Sequence, residues 1–395
     1  MARVLCAWEF GTGLGHVRRI VPIARELRAM GHEVIVAFRD SMFLDEARTA
    51  GIEAFIAPLL RTPKQMSPSP LSFSDILLNL GFDNVNGTAG ALRAWRSLFE
   101  LLSPDLLVSE YAPTALIAAR LSSIPRVTIG AGFSQPILRD PLPALRPWLH
   151  ADPGVLRALD DRLLQAVRRA WGAAGPVPSR AYELFEADLH LLCTFPEIDP
   201  YGPRQGAEYI GPQGDSGQAV DVQWQGSEGT RVFAYLKSRN PRFEPLLAAL
   251  KSLDAEVVVA APGLTEEQAR NASTPRMRVV AAAVNLDLLL PGASLCIAHA
   301  GAGVPARAMA AGVPMALLPM QLDQFLMAKR IEKTGAAEVT SPEAPAPDYR
   351  EWFTGMIARK PLAQAAAKLA ESYRDYSFAT ASSRAAKRIA SVLQG

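Results

Sequence analysis

Cysteine is scarce in this chain: three in 395 residues, Cys6, Cys193 and Cys296, far apart and each inside an apolar, strand-like run. That excludes a disulfide-stapled fold and makes buried free thiols the expectation. An excess of either charge is also missing, since 41 Lys and Arg stand against 39 Asp and Glu. A net charge of +2 gives no bulk attraction to nucleic acid. No apolar run is long enough to span a bilayer, and the chain enters a strand, VLCAWEF, without a basic region or cleavage site before it, so a cytoplasmic protein is expected. Neither an Asp-x-Asp pair nor a His/carboxylate cluster at ligand spacing occurs, so no obligatory metal is expected. Arg157, Arg162, Arg168 and Arg169 gather on one helical segment with Trp171; a solvated helix face is the reading, with contact to a membrane surface as its alternative.

What is present is α/β grammar, twice. The length exceeds what one core usually supports. Residues 4–10 read as a buried strand, followed by the turn GTGLGH and a helix whose apolar positions Ile20, Ile23, Ala24, Leu27 and Met30 keep helical spacing until Gly31. HEVIVAF, SMFLDEARTAG and IEAFIAP repeat the alternation, and PDLLVSE and IPRVTIG supply further strands. The Pro/Ser-rich 62–70 and the Gly/Asn-rich 79–88 read as mobile surface loops, and 133–171 as an insertion near a binding cleft. After ADLHLLCTF, residues 200–229 have little periodicity and read as linker; a second alternation starts at Arg231. The expected division is 1–205, a linker 206–230, a second domain 231–372, and a terminal helix 373–395.

The most informative stretch is 294–337, a βαβα unit: a strand, a turn with His299, Gly301 and Gly303, a short helix, a second strand carrying Gly312-Val313-Pro314, and Asp323-Gln324 opening another helix. A glycine turn between a strand end and a helix N-terminus exposes N–H groups suited to phosphate. The segment resembles the nucleotide-sugar half of the GT-B glycosyltransferases, in the group related to the UDP-glycosyltransferases and the macrolide-type antibiotic enzymes. Their donor motif runs His-Gly-Gly-x-Gly-Thr, Gly-Val-Pro, Asp-Gln. The resemblance implies two Rossmann-like domains facing a cleft, with the C-terminal helix crossing back to the first. It also implies a nucleotide-sugar donor, inversion at the anomeric carbon and a monomer or homodimer.

Carried onto matching positions, the resemblance makes His299 a hydrogen-bond partner of the diphosphate, with Gly301, Ala302, Gly303 and Val304 completing the cradle. Asp323 and Gln324 would hold sugar hydroxyls, unless Asp323 only caps its helix. Lys237, after the strand RVFAYL, is a candidate phosphate neutraliser or a solvated loop lysine. Three departures stand out. Val304 replaces Ser or Thr, Arg307 replaces the glutamate that grips the ribose, and the base-stacking aromatic is missing from 281–284. Arg307 would then reach phosphate or point into solvent.

In the first half, Gly11-Thr-Gly13-Leu-Gly15-His16 is one glycine short of a dinucleotide fingerprint, although Asp40 stands where an NAD enzyme wants its acid. In the glycosyltransferases a histidine at this turn is the general base, and His16 matches it; histidine is the side chain suited to that task near neutral pH. The alternative is a helix-capping histidine. Glu110, ending the fourth strand, matches the family's orienting aspartate with one extra methylene, or is a solvated strand-end carboxylate. The acceptor is expected to be a largely apolar or lipid-like alcohol held by Gly15, Phe73, Phe82, Phe133 and Trp148. Rival readings are an idle GT-B binding protein and, from the donor half, a nucleotide-sugar epimerase.

Overall fold

A computed structural model describes residues 1–61, 69–172, 178–214, 219–226, 228–341 and 343–394. Two compact units emerge, one of residues 1–195, 203–214 and 379–395, the other of 196–202 and 215–378.

The first unit holds strands β1 (Arg3–Trp8), β2 (Glu33–Phe38), β3 (Glu53–Ile56), β4 (Leu106–Glu110), β5 (Arg126–Gly130), β6 (Leu189–Leu192) and β7 (Glu208–Tyr209), in the order β3-β2-β1-β4-β5-β6-β7. Every neighbouring pair is parallel. Continuous apolar runs such as VLCAW of β1, buried along its length, are what a sheet covered on both faces requires. The strand order reverses at β1 and β4, with Ala7 beside Ser109. Beyond their carboxyl ends lies the crevice where doubly wound sheets bind ligands. The helix Leu14–Ala29 buries Val17, Ile20, Val21, Ile23, Ala24 and Leu27 as one stripe, which leaves His16 and Arg19 together on another side. The C-terminal helix Ala381–Val392 is part of the same unit, with Ala385, Ala386, Ile389 and Ala390 in its core.

Several sequence expectations need correction here. Strand β7 and its neighbours, 203–214, belong to the first unit although 206–230 read as linker. A two-residue edge strand has no periodicity to detect. The 79–88 stretch is helical, not loop: a π-helical turn Leu78–Phe82 leads into the helix Val85–Leu102. Its Gly and Asn residues have specific jobs, since Gly81 takes φ 108° near the end of the first piece and Asn84 caps the longer helix by accepting from Gly87 N at 3.1 Å. Residues 62–68 lie outside the described residues. The arginines of helix Pro153–Trp171 include ion-paired ones, Arg162 with Asp83 at 3.1 Å and Arg157 with Asp140 at 3.6 Å, while Trp171 is buried. Among the described residues no helix is long and apolar enough to cross a membrane.

The second unit repeats the plan with β8 (Arg231–Tyr235), β9 (Glu256–Ala260), β10 (Met277–Val280), β11 (Leu295–Ala298), β12 (Met315–Leu317) and β13 (Ala337–Val339), in the order β10-β9-β8-β11-β12-β13. Its reversal falls at β8 and β11, with Ala298 beside Tyr235. Each unit therefore presents one ligand-binding crevice by topology alone, the first at His16 and Glu110, the second at Lys237 and His299.

Candidate functional site

At the first crevice, three charged side chains meet. His16 Nδ1 lies 2.5 Å from Glu110 Oε2, and Arg19 Nη1 donates to Glu110 Oε1. Helical spacing places His16 and Arg19 one turn apart, so they grip the two oxygens of one carboxylate. Glu110 is 2% exposed, a buried group and not a solvated strand end. Burial pushes its carboxyl upward, but the charges and hydrogen bonds of His16 and Arg19 outweigh that and hold it below the usual carboxylate value. An ionised Glu110 accepts from Nδ1–H and fixes the tautomer with the lone pair on Nε2. The ring also stacks on Trp8, centroids 4.9 Å apart and planes at 17°. His16 does not cap its helix, whose cap is Gly13 without a side-chain bond.

Nε2 takes no hydrogen bond among the described residues. It faces Gly11: a Cβ there would sit 2.4 Å from Nε2, and Gly11 has φ 83°. Glycine at 11 therefore keeps the approach to the basic nitrogen open. Arg39 Nη1 secures this turn by donating to Gly11 O at 2.6 Å. Gly15 is exposed, with open space where a side chain would be. Arg19 was missed by sequence reasoning; its position at i+3 from His16 is the signal that could have found it.

Tyr111 follows Glu110 with φ 47°, an uncommon conformation for a bulky residue, and it gathers the aromatics of this end of the sheet. Its ring is 5.9 Å from Phe10, 6.2 Å from Phe133, 6.4 Å from Phe73 and 6.4 Å from His16. Phe133 is half-buried and Trp148 is 38% exposed, so both present surface. Phe73 and Phe82 do not: at 1% and 0% exposure they are core. The reason is local. Ser74 Oγ donates to buried Asp160 at 2.6 Å, which turns the helix Phe73–Leu77 inward and packs Phe73 edge-on against Phe185 at 5.2 Å.

At the second crevice, His299 is nearly closed off, and both ring nitrogens are committed to backbone. Leu318 O lies 2.9 Å from Nδ1, and Nε2 accepts from Lys237 N at 3.0 Å. A carbonyl can only accept, so Nδ1 carries the proton and the ring is neutral. Burial and the Lys237 charge, against the Leu318 bond, also lower its pKa. His299 thus ties the ends of β8, β11 and β12 together. This corrects the expectation of a phosphate-donating histidine: no ring N–H is left to give. The donors are backbone groups instead. The helix Gly303–Ala310 has no side-chain cap, Pro305 brings no N–H, and the first-turn N–H groups of Gly303 and Val304 have no intrahelical partner. Gly301 and Gly303 are exposed, with open space above them, and Ala302 lies between.

Ala300, fully buried, holds φ 58° at this turn. Replacing it with glycine is expected to stabilise the chain by about 1 kcal/mol, because the left-handed region strains any residue with a Cβ. Urea unfolding checks this, and an unchanged or lowered midpoint would contradict it.

Gln324 Oε1 accepts from Met320 N at 2.9 Å, which fixes the turn into helix Leu322–Glu332. Asp323 is half-buried in the first turn of that helix, whose cap is Gln321 and not Asp323. The Lys237 side chain is exposed while its N–H serves His299. Arg307 does not point into solvent: it is 7% exposed, pairs with Asp287, and lies 4.4 Å over the Phe378 ring. That corrects the solvent-facing expectation for it.

Comparison with known proteins bears on this geometry. Residues 244–377 match the family described as Erythromycin biosynthesis protein CIII-like, C-terminal domain. The chain is 27% identical over 345 residues to the L-demethylnoviosyl transferase of Streptomyces niveus, covering 82% of each. It is 25% identical to the TDP-daunosamine transferase DnrS of Streptomyces peucetius, over 90% of this chain and 89% of that one. Among solved structures, the calicheamicin glycosyltransferase CalG4 superposes with a TM-score of 0.72 at 21% identity, covering 100% of this chain and 98% of that one. The glycosyltransferase VinC in complex with DTDP gives 0.70 at 21% identity, covering 99% of both. The fold is GT-B.

Proposed function

We propose that this chain, a GT-B protein similar along nearly its whole length to antibiotic glycosyltransferases, moves a sugar from a nucleoside diphosphate to a hydroxyl of a largely apolar acceptor, with inversion. The observation that carries the reading is the His16 ring, held by Glu110 and Trp8 with Nε2 open. Acceptor oxygen attacks the anomeric carbon while Nε2 takes its proton. The bond from that carbon to the phosphate oxygen breaks, and its electron pair leaves with the diphosphate. Direct displacement of this kind inverts the carbon. The imidazolium that forms sits beside the Glu110 carboxylate, whose charge Arg19 keeps in place. The Gly301–Val304 turn and the positive end of helix Gly303–Ala310 receive the negative charge of the leaving group. These fixed dipoles do the work that a divalent ion does elsewhere, so the reaction is proposed to run without metal.

Tyr111, Phe133 and Trp148 favour an apolar acceptor, because rings offer area and few polar partners. The test is turnover with a TDP-sugar against a panel of phenols, apolar alcohols and free sugars. Apolar acceptors are expected to react, EDTA to change nothing, and the product to show the opposite anomeric configuration by NMR. Binding of TDP without turnover of any acceptor would leave a binding protein, and retained configuration would remove the direct displacement.

A further inference from the structure

Phe133 sits on neither a helix nor a strand. After β5 the chain turns sharply: Gln135 N donates to Gly132 O at 3.0 Å, so Phe133 and Ser134 form the corner of a β-turn. A ring at such a corner has no hydrogen-bond ladder to hold it, yet Phe133 stands edge-on to Tyr111 at 6.2 Å. Two side chains fix the turn. Arg204, 69 and 72 residues away from its two ends, spreads its guanidinium over both: Nη1 donates to Gln135 O at 2.6 Å and Nη2 to Gly132 O at 3.2 Å. The planar fork makes both bonds in one orientation, which the single ammonium of a lysine does not. Arg204 is itself tied down, its backbone N donating to the Tyr209 hydroxyl of β7 at 3.1 Å.

Gln135 holds the same turn from the side of the sheet. Its Nε2 donates to Thr128 Oγ1 on β5 at 2.9 Å and to Leu191 O on β6 at 3.2 Å. A backbone carbonyl can only accept, which settles the orientation of the amide. Its Oε1 is then left buried without a hydrogen bond among the described residues, 2.8 Å from where a Cβ at Gly130 would sit. An unpaired buried oxygen costs stability, and a methionine of similar length would fill the space without that cost. Core stability therefore does not account for a glutamine here. The two bonds through Nε2 do something else: they hold the turn in one place, and the glycine at 130 lets the side chain fold back over β5 to make them.

We infer that Arg204 and Gln135 are positioning residues for the acceptor: together they clamp the 132–135 turn so that Phe133 faces Tyr111 as a wall formed before the acceptor arrives. A preformed wall spares the acceptor the entropy of ordering the ring, so the effect falls on acceptor binding and not on the chemical step. The inference rests on the proposed seating of an apolar acceptor against these rings. Steady-state kinetics of the full chain with a TDP-sugar and a phenol test it, with TDP affinity followed by calorimetry. Phe133→Ala is expected to raise the acceptor KM roughly tenfold, and Arg204→Met and Gln135→Met roughly 3- to 10-fold, with kcat and TDP affinity near wild type. Arg204→Lys is expected to fall between wild type and Arg204→Met. In Phe133→Ala/Arg204→Met the KM is expected to match that of Phe133→Ala alone, because the clamp acts through that ring. If Phe133→Ala raises KM while Arg204→Met and Gln135→Met both keep the wild-type value, the positioning role is wrong and the acceptor reading stands. Losses that add in the double variant, or a fall in kcat and in the urea midpoint with KM unmoved, also overturn the positioning role. A wild-type KM in Phe133→Ala, or no turnover of any phenol or alcohol by the wild-type chain, overturns the acceptor reading itself.

Discussion

His16→Ala is expected to lower kcat by a factor of about 10² to 10⁴ and to leave TDP affinity unchanged, because a base acts only as the proton moves. The basis is geometric. Nδ1 is held at 2.5 Å by Glu110, the ring is stacked on Trp8, and Gly11 leaves Nε2 uncovered. Donor contacts made by backbone at Gly301–Val304 do not involve this side chain. Glu110→Gln is expected to cost less than His16→Ala, since an amide still accepts from Nδ1–H through its oxygen but no longer offsets the imidazolium charge. Arg19→Met is expected to lower kcat with little change in KM, by freeing Glu110 to turn away from the ring. As the three act through one nitrogen, the losses should not add: the double variant His16→Ala/Glu110→Gln should be about as slow as His16→Ala alone. Wild-type turnover in His16→Ala would sink the assignment, and full additivity would separate Glu110 from the base.

A large effect is also expected on stability, from a carboxyl that does no chemistry. Glu9 ends the β1 side of the same crevice, 1% exposed, and accepts from Thr114 N at 3.1 Å and Ala115 N at 2.6 Å. It caps the helix Pro113–Leu121 and so anchors the turn that carries Glu110 and Tyr111. Burial pushes its pKa up from 4.5 to about 8, against the hydrogen bonds it accepts. For an acid raised in the folded state, the unfolded chain releases its proton first. The contribution to stability is therefore complete below pH 4.5 and is lost as pH rises toward 8. His190 and His299, both lowered chiefly by burial, act in the opposite sense around neutral pH, and Glu110 acts only at acid pH. These groups are the same in Glu9→Gln, so the difference between the two proteins isolates Glu9. Wild type is expected to lose roughly 2 to 4 kcal/mol more unfolding free energy than Glu9→Gln between pH 5 and pH 8. Parallel urea curves at the two pH values measure it; identical pH dependence in both proteins would show that Glu9 does not titrate there.

The alternation of buried strands and striped helices was legible from residue order, and with it two Rossmann-like halves, the glycine turns and the positions of His16, Glu110 and the 299–304 loop. Those features are local: hydrophobic period, capping residues and glycine turns are written within a few neighbours. Edge strand β7 and the helical 78–88 escaped because one is too short to show a period and the other uses Asn and Gly for a cap and a bend, not a loop. What side chains do was decided only by tertiary packing. Arg19 joins His16 because β4 brings Glu110 across from 91 residues away, and His299 is taken from phosphate duty because β8 and β12 end beside it. Arg307 turns from solvent to Asp287 and Phe378, and Phe73 and Phe82 close into the core. In each case the deciding contact is long-range, and a buried polar group binds whatever partner the fold supplies, since leaving it unpaired costs more than any local preference can offset.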